Sequence, residues 1–378
     1  MSIYLDHNAT SPVRPEAVDA VMAALGAGGN PSSVHQQGRA ARARVEQARQ
    51  VIARSICARS EDLIFTSGGT EAINLALHTS KTLGVGRLII SAIEHDAVRA
   101  AAASIGLPVE VWPVDANGRA SLQWLDQRLA SLPDDETALI ALMAANNETG
   151  VIQPFLEAGA LISETRHLYL IDAVQMTGKA PFDFAASQAQ FASLSAHKAG
   201  GPQGVGALAT ACDAQVGALI TGGGQEKGRR GGTENVAGIS GFAAAISAID
   251  VGETNRIEGL RDRIESRLKA AAPDITVWGS GQERLANTLC LSAPGWRSEI
   301  QVIALDLAGF AVSAGSACSS GKVRKSHVLA AMGASDDEAS SALRVSLGWT
   351  TTQAEADAFA DAWLKEYNRV RPKVAAAV

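Results

Sequence analysis

The sequence has few cysteines, and they are widely separated. The four are Cys57, Cys212, Cys290 and Cys318, and no two form a CxxC pair. This spacing excludes the clustered ligands of a structural zinc site and the disulfide framework of a small secreted domain. We expect a cytoplasmic protein in which Cys57, Cys212 and Cys290 are buried and inert, because they lie in apolar helical or strand patterns.

An excess of positive charge and a long apolar run are also missing. The chain has 33 Lys and Arg against 39 Asp and Glu, a net charge of −6, whereas nonspecific nucleic-acid binding needs clustered basic residues. No segment approaches the ~18 apolar residues of a membrane span, and residues 1–6 do not resemble a secretory signal. We therefore expect a small-molecule substrate, no direct nucleic-acid partner and no membrane partner.

Aromatic residues make up only 4% of the chain, whereas 47% of residues are hydrophobic and Ala and Gly are abundant. This composition is typical of alternating helices and buried strands. Apolar runs separated by helical patterns predict an α/β fold with a mostly parallel sheet covered on both faces. The predicted strands are 63–66, 87–91, 109–112, 138–143, 168–171, 191–194 and 205–209.

A length of 378 residues fits two domains of unequal size. We predict a large domain over 13–252 and a small α/β domain over 253–378, to which residues 1–12 also belong. A charged helix at 253–271 connects the two. Within the small domain we predict strands at 276–278, 288–291 and 343–346 and helices at 298–307 and 353–370.

Lys198 follows Ser195 and His197 at the end of an apolar predicted strand, where a lysine can form a Schiff base with an aldehyde. Upstream, another predicted strand ends at Asp172, and Gln175 follows three residues later. A carboxylate at a strand end can pair with a protonated pyridine nitrogen. An Asp that precedes the Lys is the order that pyridoxal phosphate enzymes need.

A glycine-containing turn, Gly68, Gly69, Thr70 and Glu71, connects the strand at 63–66 to a helical pattern. Backbone amides and the helix dipole favour an anion at such a position. We predict that the cofactor phosphate binds there.

Cys318 lies among small residues at 313–321, which is typical of a loop. A loop thiol together with a lysine-bound aldehyde suggests sulfur chemistry. Lys322, Arg324 and Lys325 follow closely, and our hypothesis is that they help to ionise Cys318 or dock an acidic sulfur acceptor. A merely solvated basic loop is an equally open alternative.

Taken together, these motifs resemble the pyridoxal phosphate-dependent cysteine desulfurases of the NifS/IscS type. The resemblance implies fold type I of the pyridoxal phosphate-dependent transferases, aspartate aminotransferase-like, with a mixed, mostly parallel sheet and a smaller α/β domain. It also implies conversion of L-cysteine to L-alanine, with sulfur passed to a Cys318 persulfide for iron–sulfur cluster assembly or other sulfur-containing products. The motifs that carry it lie at 4–10, 29–35, 66–71, 146–150, 195–198 and 315–318.

The resemblance also assigns roles to individual residues around the cofactor. It implies that Lys198 holds the cofactor and moves the substrate α-proton, that Asp172 keeps the pyridine nitrogen protonated, and that Gln175 hydrogen-bonds the phenolic oxygen. His95 is expected to stack on the ring and act as acid or base, although a lone histidine at a helix start is more often a cap or a surface residue.

Further assignments concern the phosphate, the substrate and the partner subunit. The expected phosphate ligands are Gly69, Thr70, Ser195 and His197, with Thr233 contributed by the second subunit of a homodimer. Asn147 and Arg344 match residues that hold the substrate carboxylate, with a surface ion pair as the alternative for Arg344. No metal is expected, and a protein sulfur acceptor such as an iron–sulfur scaffold is the expected partner.

Two other functions stay open at this stage. The chain is compatible with a selenocysteine lyase or an aminotransferase of the same fold, for which Cys318 is dispensable. It is also compatible with a non-catalytic sulfur carrier, which forms no alanine from cysteine.

Overall fold

The computed structural model describes residues 2–212, 214–315 and 325–375, and the side chains up to 370. Its α-helices are α1 (Pro15–Ala27), α2 (Gln36–Ser55), α3 (Gly69–Thr82), α4 (Asp96–Ser104), α5 (Leu122–Ser131), α6 (Phe155–Ser163), α7 (Val236–Ser247), α8 (Val251–Ala271), α9 (Ser298–Leu307), α10 (His327–Ala331), α11 (Asp336–Ser340) and α12 (Gln353–Ala375). Its strands are β1 (Ile3–Tyr4), β2 (Leu63–Thr66), β3 (Arg87–Ser91), β4 (Val109–Trp112), β5 (Ala138–Met143), β6 (Leu168–Asp172), β7 (Phe191–Ser195), β8 (Gly206–Thr210), β9 (Thr276–Val277), β10 (Thr288–Ser292), β11 (Phe310–Ala311), β12 (Ser313–Ala314) and β13 (Ala342–Ser346).

The largest sheet has seven strands in the order β2-β8-β7-β6-β5-β3-β4. Neighbours from β7 to β4 are parallel, whereas β8 runs antiparallel to both β2 and β7. Successive residues of β5 alternate between two apolar clusters, with Leu139 and Ala141 in one and Ile140 and Leu142 in the other. The predicted sheet, mostly parallel and covered on both faces, is confirmed.

A second sheet of four antiparallel strands has the order β12-β13-β10-β9. It packs with α8, α9 and α12 around an apolar cluster that includes Leu291, Phe359 and Trp363. The N-terminal strand β1 pairs in parallel with β11 and brings Leu5 into the same cluster. The segment around β1 therefore packs with the smaller sheet region, although the division at residues 252 and 253 stays a prediction.

Two of the cysteines lie elsewhere than expected. Cys290 is buried in β10, and burial raises the pKa of its thiol. Cys57 and Cys212 are exposed, so the expectation of burial is wrong for them. Cys57 lies two residues after the end of α2 and Cys212 lies two residues after the end of β8, where the chain turns toward solvent.

In the described part of the chain, no single helix is long and apolar enough to cross a membrane. By length and composition alone, α7 and α8 pass that test together as a pair bent by 74°.

Candidate active site

A cavity of about 210 Å³ opens where β5, β6 and β7 end. These strands are parallel, so their carboxyl ends meet at one edge of the sheet, where ligands bind in open α/β folds. Nine of the residues singled out from the sequence line this cavity. They are Gly69, Thr70, His95, Asn147, Asp172, Gln175, Ser195, His197 and Lys198.

Lys198 ends a short 3₁₀ turn, Ala196–Lys198, directly after β7. Its Nζ donates hydrogen bonds to the backbone carbonyls of Asn8 at 2.6 Å and Ala9 at 2.9 Å. Burial, followed by the positive charge of Arg344, lowers the pKa of Lys198 to about 8. A larger share of the amine is therefore neutral and nucleophilic near neutral pH than for an exposed lysine.

Asp172 is the last residue of β6 and is buried beside the cavity. Its Oδ1 accepts hydrogen bonds from Ser193 Oγ and from the Val174 backbone amide, each at 3.0 Å. Both of these bonds end on Oδ1, so Oδ2 is the oxygen left to face a protonated ring nitrogen in the cavity.

The N-terminus of α3 forms another wall of the cavity. Gly68 precedes the helix and supplies no capping side chain, so the first amides of α3 are free to bind an anion. A Cβ on Gly69 would lie 2.5 Å from Val174 Cγ2, so only glycine allows this close approach. Thr70 and Ser195 also line the cavity.

His197 is neutral in this site. Burial, then the charges of Lys198 and Lys179, lower its pKa to about 4. Its Nδ1 lies 3.2 Å from Thr10 Oγ1. When Nδ1 accepts that hydrogen bond, Nε2 carries the proton and can donate it to an anion such as phosphate.

His95 is exposed and immediately precedes α4. Its Nδ1 accepts a hydrogen bond from the Ala97 backbone amide at 3.0 Å, so the histidine caps the helix. It also lines the cavity. The capping alternative and a place at the cofactor site are therefore both compatible with its position, because capping uses one ring nitrogen and leaves Nε2 for chemistry.

Arg344 lies in β13 with only 2% of its surface exposed, so it is not a surface ion pair. Its Nη2 donates to Asp6 Oδ1 at 2.9 Å and its Nη1 donates to the Asn147 carbonyl at 3.0 Å. Within the described residues, its buried Nε has no hydrogen-bond partner. Arg344 does not itself line the cavity, but the Asn147 carbonyl to which it donates belongs to a residue that does.

The remaining predicted residues lie away from this cavity or outside the described residues. Thr233 is exposed and does not line the cavity. Cys318, Lys322 and Arg324 lie outside the described residues. Lys325 forms an exposed ion pair with Asp336 at 2.6 Å.

Sequence reasoning missed three polar residues of the site, Asn8, Glu148 and Lys179. The Asn8 backbone carbonyl accepts a hydrogen bond from Lys198 Nζ, and Lys179 Nζ donates one to Gln175 Oε1. Glu148 accepts a hydrogen bond from Ser326 Oγ at 2.5 Å, and burial raises its pKa to about 7. Asn8 and Glu148 belong to the motifs at 4–10 and 146–150, so the available signal was a polar residue within a motif.

The model of the aminotransferase class-V family matches residues 3–359. This chain belongs to the aminotransferase class-V family. A protein named putative cysteine desulfurase IscS 1, from Bacillus subtilis strain 168, is 40% identical over 93% of this chain and 94% of its own length. An IscS-like cysteine desulfurase of Mycobacterium tuberculosis is 38% identical over 94% of this chain and 93% of its own length.

Solved structures agree with this family membership. A NifS-like protein from Rickettsia africae superimposes with a TM-score of 0.89 and 34% identity over 97% of this chain and all of its own. A structure titled SspA in complex with cysteine gives a TM-score of 0.81 and 28% identity over 93% of this chain and all of its own. The predicted fold class and the resemblance to cysteine desulfurases are confirmed.

Members of this family depend on pyridoxal phosphate, and the cavity fits that group. It combines a partly neutral lysine, a buried carboxylate with a free oxygen, and an uncapped helix N-terminus whose Gly69 leaves no room for a side chain. These match the aldehyde, the pyridine nitrogen and the phosphate of one molecule.

Proposed function

We propose that this protein is a cysteine desulfurase that converts L-cysteine to L-alanine and passes the sulfur to Cys318 as a persulfide. Full-length similarity to proteins named cysteine desulfurase supports the reaction. The observation that carries the site assignment is Lys198, whose pKa is about 8, in one cavity with Asp172 and the start of α3.

Pyridoxal phosphate, when bound, supplies an aldehyde for Lys198 and a ring that accepts electrons from the substrate α-carbon. Asp172 would hold a proton at the pyridine nitrogen, and Gln175 would donate to the phenolic oxygen. The α3 amides, Thr70, Ser195 and His197 would bind the phosphate. Lys198 takes the proton from the substrate α-carbon and later returns a proton to the product.

Asn147 and Arg344 would orient the substrate carboxylate, and His95 would pack over the ring. The Cys318 thiolate attacks the substrate sulfur, so that an S–S bond forms and the substrate C–S bond breaks with its electron pair left on carbon. Protonation of that carbon gives L-alanine. The balance is L-cysteine plus the Cys318 thiol giving L-alanine plus the Cys318 persulfide, with no outside oxidant or reductant.

The family is typically dimeric, and we propose a homodimer in which Thr233 binds the cofactor phosphate of the neighbouring subunit. The exposure of Thr233 and its distance from the cavity of its own chain support this arrangement. We also propose that a protein acceptor, such as an iron–sulfur scaffold, takes the sulfur from Cys318.

The deciding experiment measures alanine and sulfide released from L-cysteine in the presence of a reductant, with wild type and Cys318→Ala both loaded with pyridoxal phosphate. We expect matched amounts from wild type and loss of at least a hundredfold of both products in the variant, because Cys318 is the sulfur acceptor. Cys212→Ala, which removes an exposed cysteine, is the control and should keep wild-type rates.

Equal turnover by Cys318→Ala would contradict the persulfide and favour lyase or aminotransferase chemistry. Absence of alanine from the wild type would favour a sulfur carrier.

A further inference from the structure

Lys179 is a lysine beside the cavity that the proposed reaction does not use. It lies four residues after Gln175, beyond the end of β6. Its Nζ donates hydrogen bonds to Gln175 Oε1 at 2.6 Å and to Asn8 Oδ1 at 2.8 Å. Burial, then the charges of Lys198 and Arg344, lower its pKa well below the usual range.

Asn8 connects Lys179 to Lys198. It is 1% exposed, and its backbone carbonyl accepts from Lys198 Nζ at 2.6 Å and from Gln175 Nε2 at 3.1 Å. Its side-chain Oδ1 accepts from Lys179 and, at 3.0 Å, from Asn287 Nδ2. Lys179 is therefore linked by two hydrogen-bonded routes to Asn8, whose carbonyl Lys198 contacts: one runs directly to the Asn8 side chain and the other runs through Gln175.

Lys179 and the Asn8 carbonyl together determine which way the Gln175 amide points. Lys179 Nζ donates to Oε1 of Gln175, and Nε2 of Gln175 donates to the Asn8 carbonyl, the same oxygen that Lys198 Nζ contacts. The flipped amide would place its NH₂ group against the donor Lys179 Nζ and its oxygen against the Asn8 carbonyl. The hydrogen-bond donor of Gln175 is thus held on the side of Lys198.

We propose that Lys179 is a positioning residue that fixes Gln175 and Asn8 around Lys198. The proposal rests on the proposed role of Lys198 as the cofactor-binding lysine. Other charged or titratable groups around Lys179 are Lys198, Arg344, Asp6, His7 and His197. Both histidines have lowered pKa values, about 3 for His7 and about 4 for His197, so near neutral pH they add no charge.

The position of Gln175 has a measurable consequence at Lys198. A hydrogen bond donated to the cofactor phenolic oxygen, where the resemblance places Gln175, would stabilise negative charge on that oxygen. Removing the Lys179 donor should release the Gln175 amide and weaken that hydrogen bond. The Lys198 nitrogen, when joined to the cofactor, should then be easier to protonate.

The test titrates the visible absorbance of the holoprotein with pH in wild type, Lys179→Met and Lys179→Arg. Methionine has about the length of lysine but has neither its charge nor its hydrogen-bond donors. Arginine restores both. We expect the acid dissociation constant of the Lys198-linked chromophore to fall about tenfold in Lys179→Met and to return to within about threefold of wild type in Lys179→Arg. Lys81→Met, which removes an exposed lysine of α3, should titrate as wild type.

Circular dichroism and gel filtration establish that each variant is folded, and Lys179→Gln replaces Lys179→Met if the latter is not. If wild type binds the cofactor and turns over cysteine, but the folded Lys179→Met or Lys179→Gln variant titrates as wild type does, the positioning role is overturned and the proposed function is not. Failure of wild type to develop the absorbance at all would instead contradict the cofactor site, and with it the proposed function.

Discussion

At the scale of single residues, the site depends on the burial of a few ionisable side chains. Burial beside Arg344 lowers the pKa of Lys198 to about 8, whereas an exposed lysine titrates near ~10.4. Lys198 is a lysine at the end of a strand in the sequence, and it becomes a reactive amine only through its surroundings. The same surroundings keep His197 neutral, with a pKa of about 4.

The lowered pKa of Lys198 predicts how fast the apoprotein captures its cofactor at different pH values. Only the neutral amine attacks an aldehyde, so the rate should rise with pH and level off above a midpoint near 8. The measurement is stopped-flow absorbance after mixing apoprotein with pyridoxal phosphate. A small primary amine of ordinary pKa serves as the control for titration of the aldehyde itself. A protein rate that keeps rising to pH 10, as for that amine, would contradict the assignment.

At the scale of secondary-structure elements, the start of α3 packs tightly against the turn after β6. Gly69 approaches Val174 so closely that a Cβ would lie 2.5 Å from Val174 Cγ2. Such crowding moves the first turn of the helix, whose amides form the proposed phosphate site. The helix position and the anion site are therefore determined by the same contact.

Gly69→Ala should weaken binding of pyridoxal phosphate about tenfold or more, because overpacking at a tight contact costs ~1–3 kcal/mol. The affinity is measured by absorbance titration of the apoprotein. Adding Val174→Ala removes the methyl group that clashes and should restore most of the affinity. Gly259→Ala in α8, where a Cβ meets nothing within 4 Å, is the matched control. Unchanged affinity in Gly69→Ala would show that this contact does not set the site.

At the scale of the whole molecule, the N-terminal segment joins the two sheets. Asp6 pairs with Arg344 of β13 at 2.9 Å and also accepts from Ser313 Oγ at 2.7 Å. Two residues later, Asn8 accepts hydrogen bonds from Gln175, which follows β6, and from Lys198, which follows β7. It also accepts one from Asn287, which immediately precedes β10. A few residues near the start of the chain thus hold the cavity, the reactive lysine and the smaller sheet in register.

Asp6→Asn should lower the free energy of unfolding by on the order of 3 kcal/mol, because it leaves the buried Arg344 without its counter-charge. Urea denaturation of the apoprotein near neutral pH measures the change. Asp361→Asn removes a similar pair with Arg267, but its side chain is 70% exposed, so the expected change is below ~1 kcal/mol. Equal effects of the two substitutions would contradict the buried pair.

The sequence by itself determined the main elements of the fold and predicted residues that the structure brings to one cavity. The strand predicted at 138–143 matches β5 because a strand buried on both faces reads as one apolar run. Lys198, Asp172 and the turn at Gly69 could be predicted to lie together because each lies at or just after the end of such a strand, and the carboxyl ends of parallel strands meet at one edge.

The tertiary structure decided what depends on contacts between residues distant in the chain. The pairing of Arg344 with Asp6 spans 338 residues, and the contact of Lys198 with Asn8 spans 190. Neither pairing leaves a local pattern, because apolar periodicity reports only which face of an element is buried. The lowered pKa of Lys198, the orientation of Gln175 and the exposure of Cys57 and Cys212 likewise follow from packing and solvent access, which exist only in the folded chain.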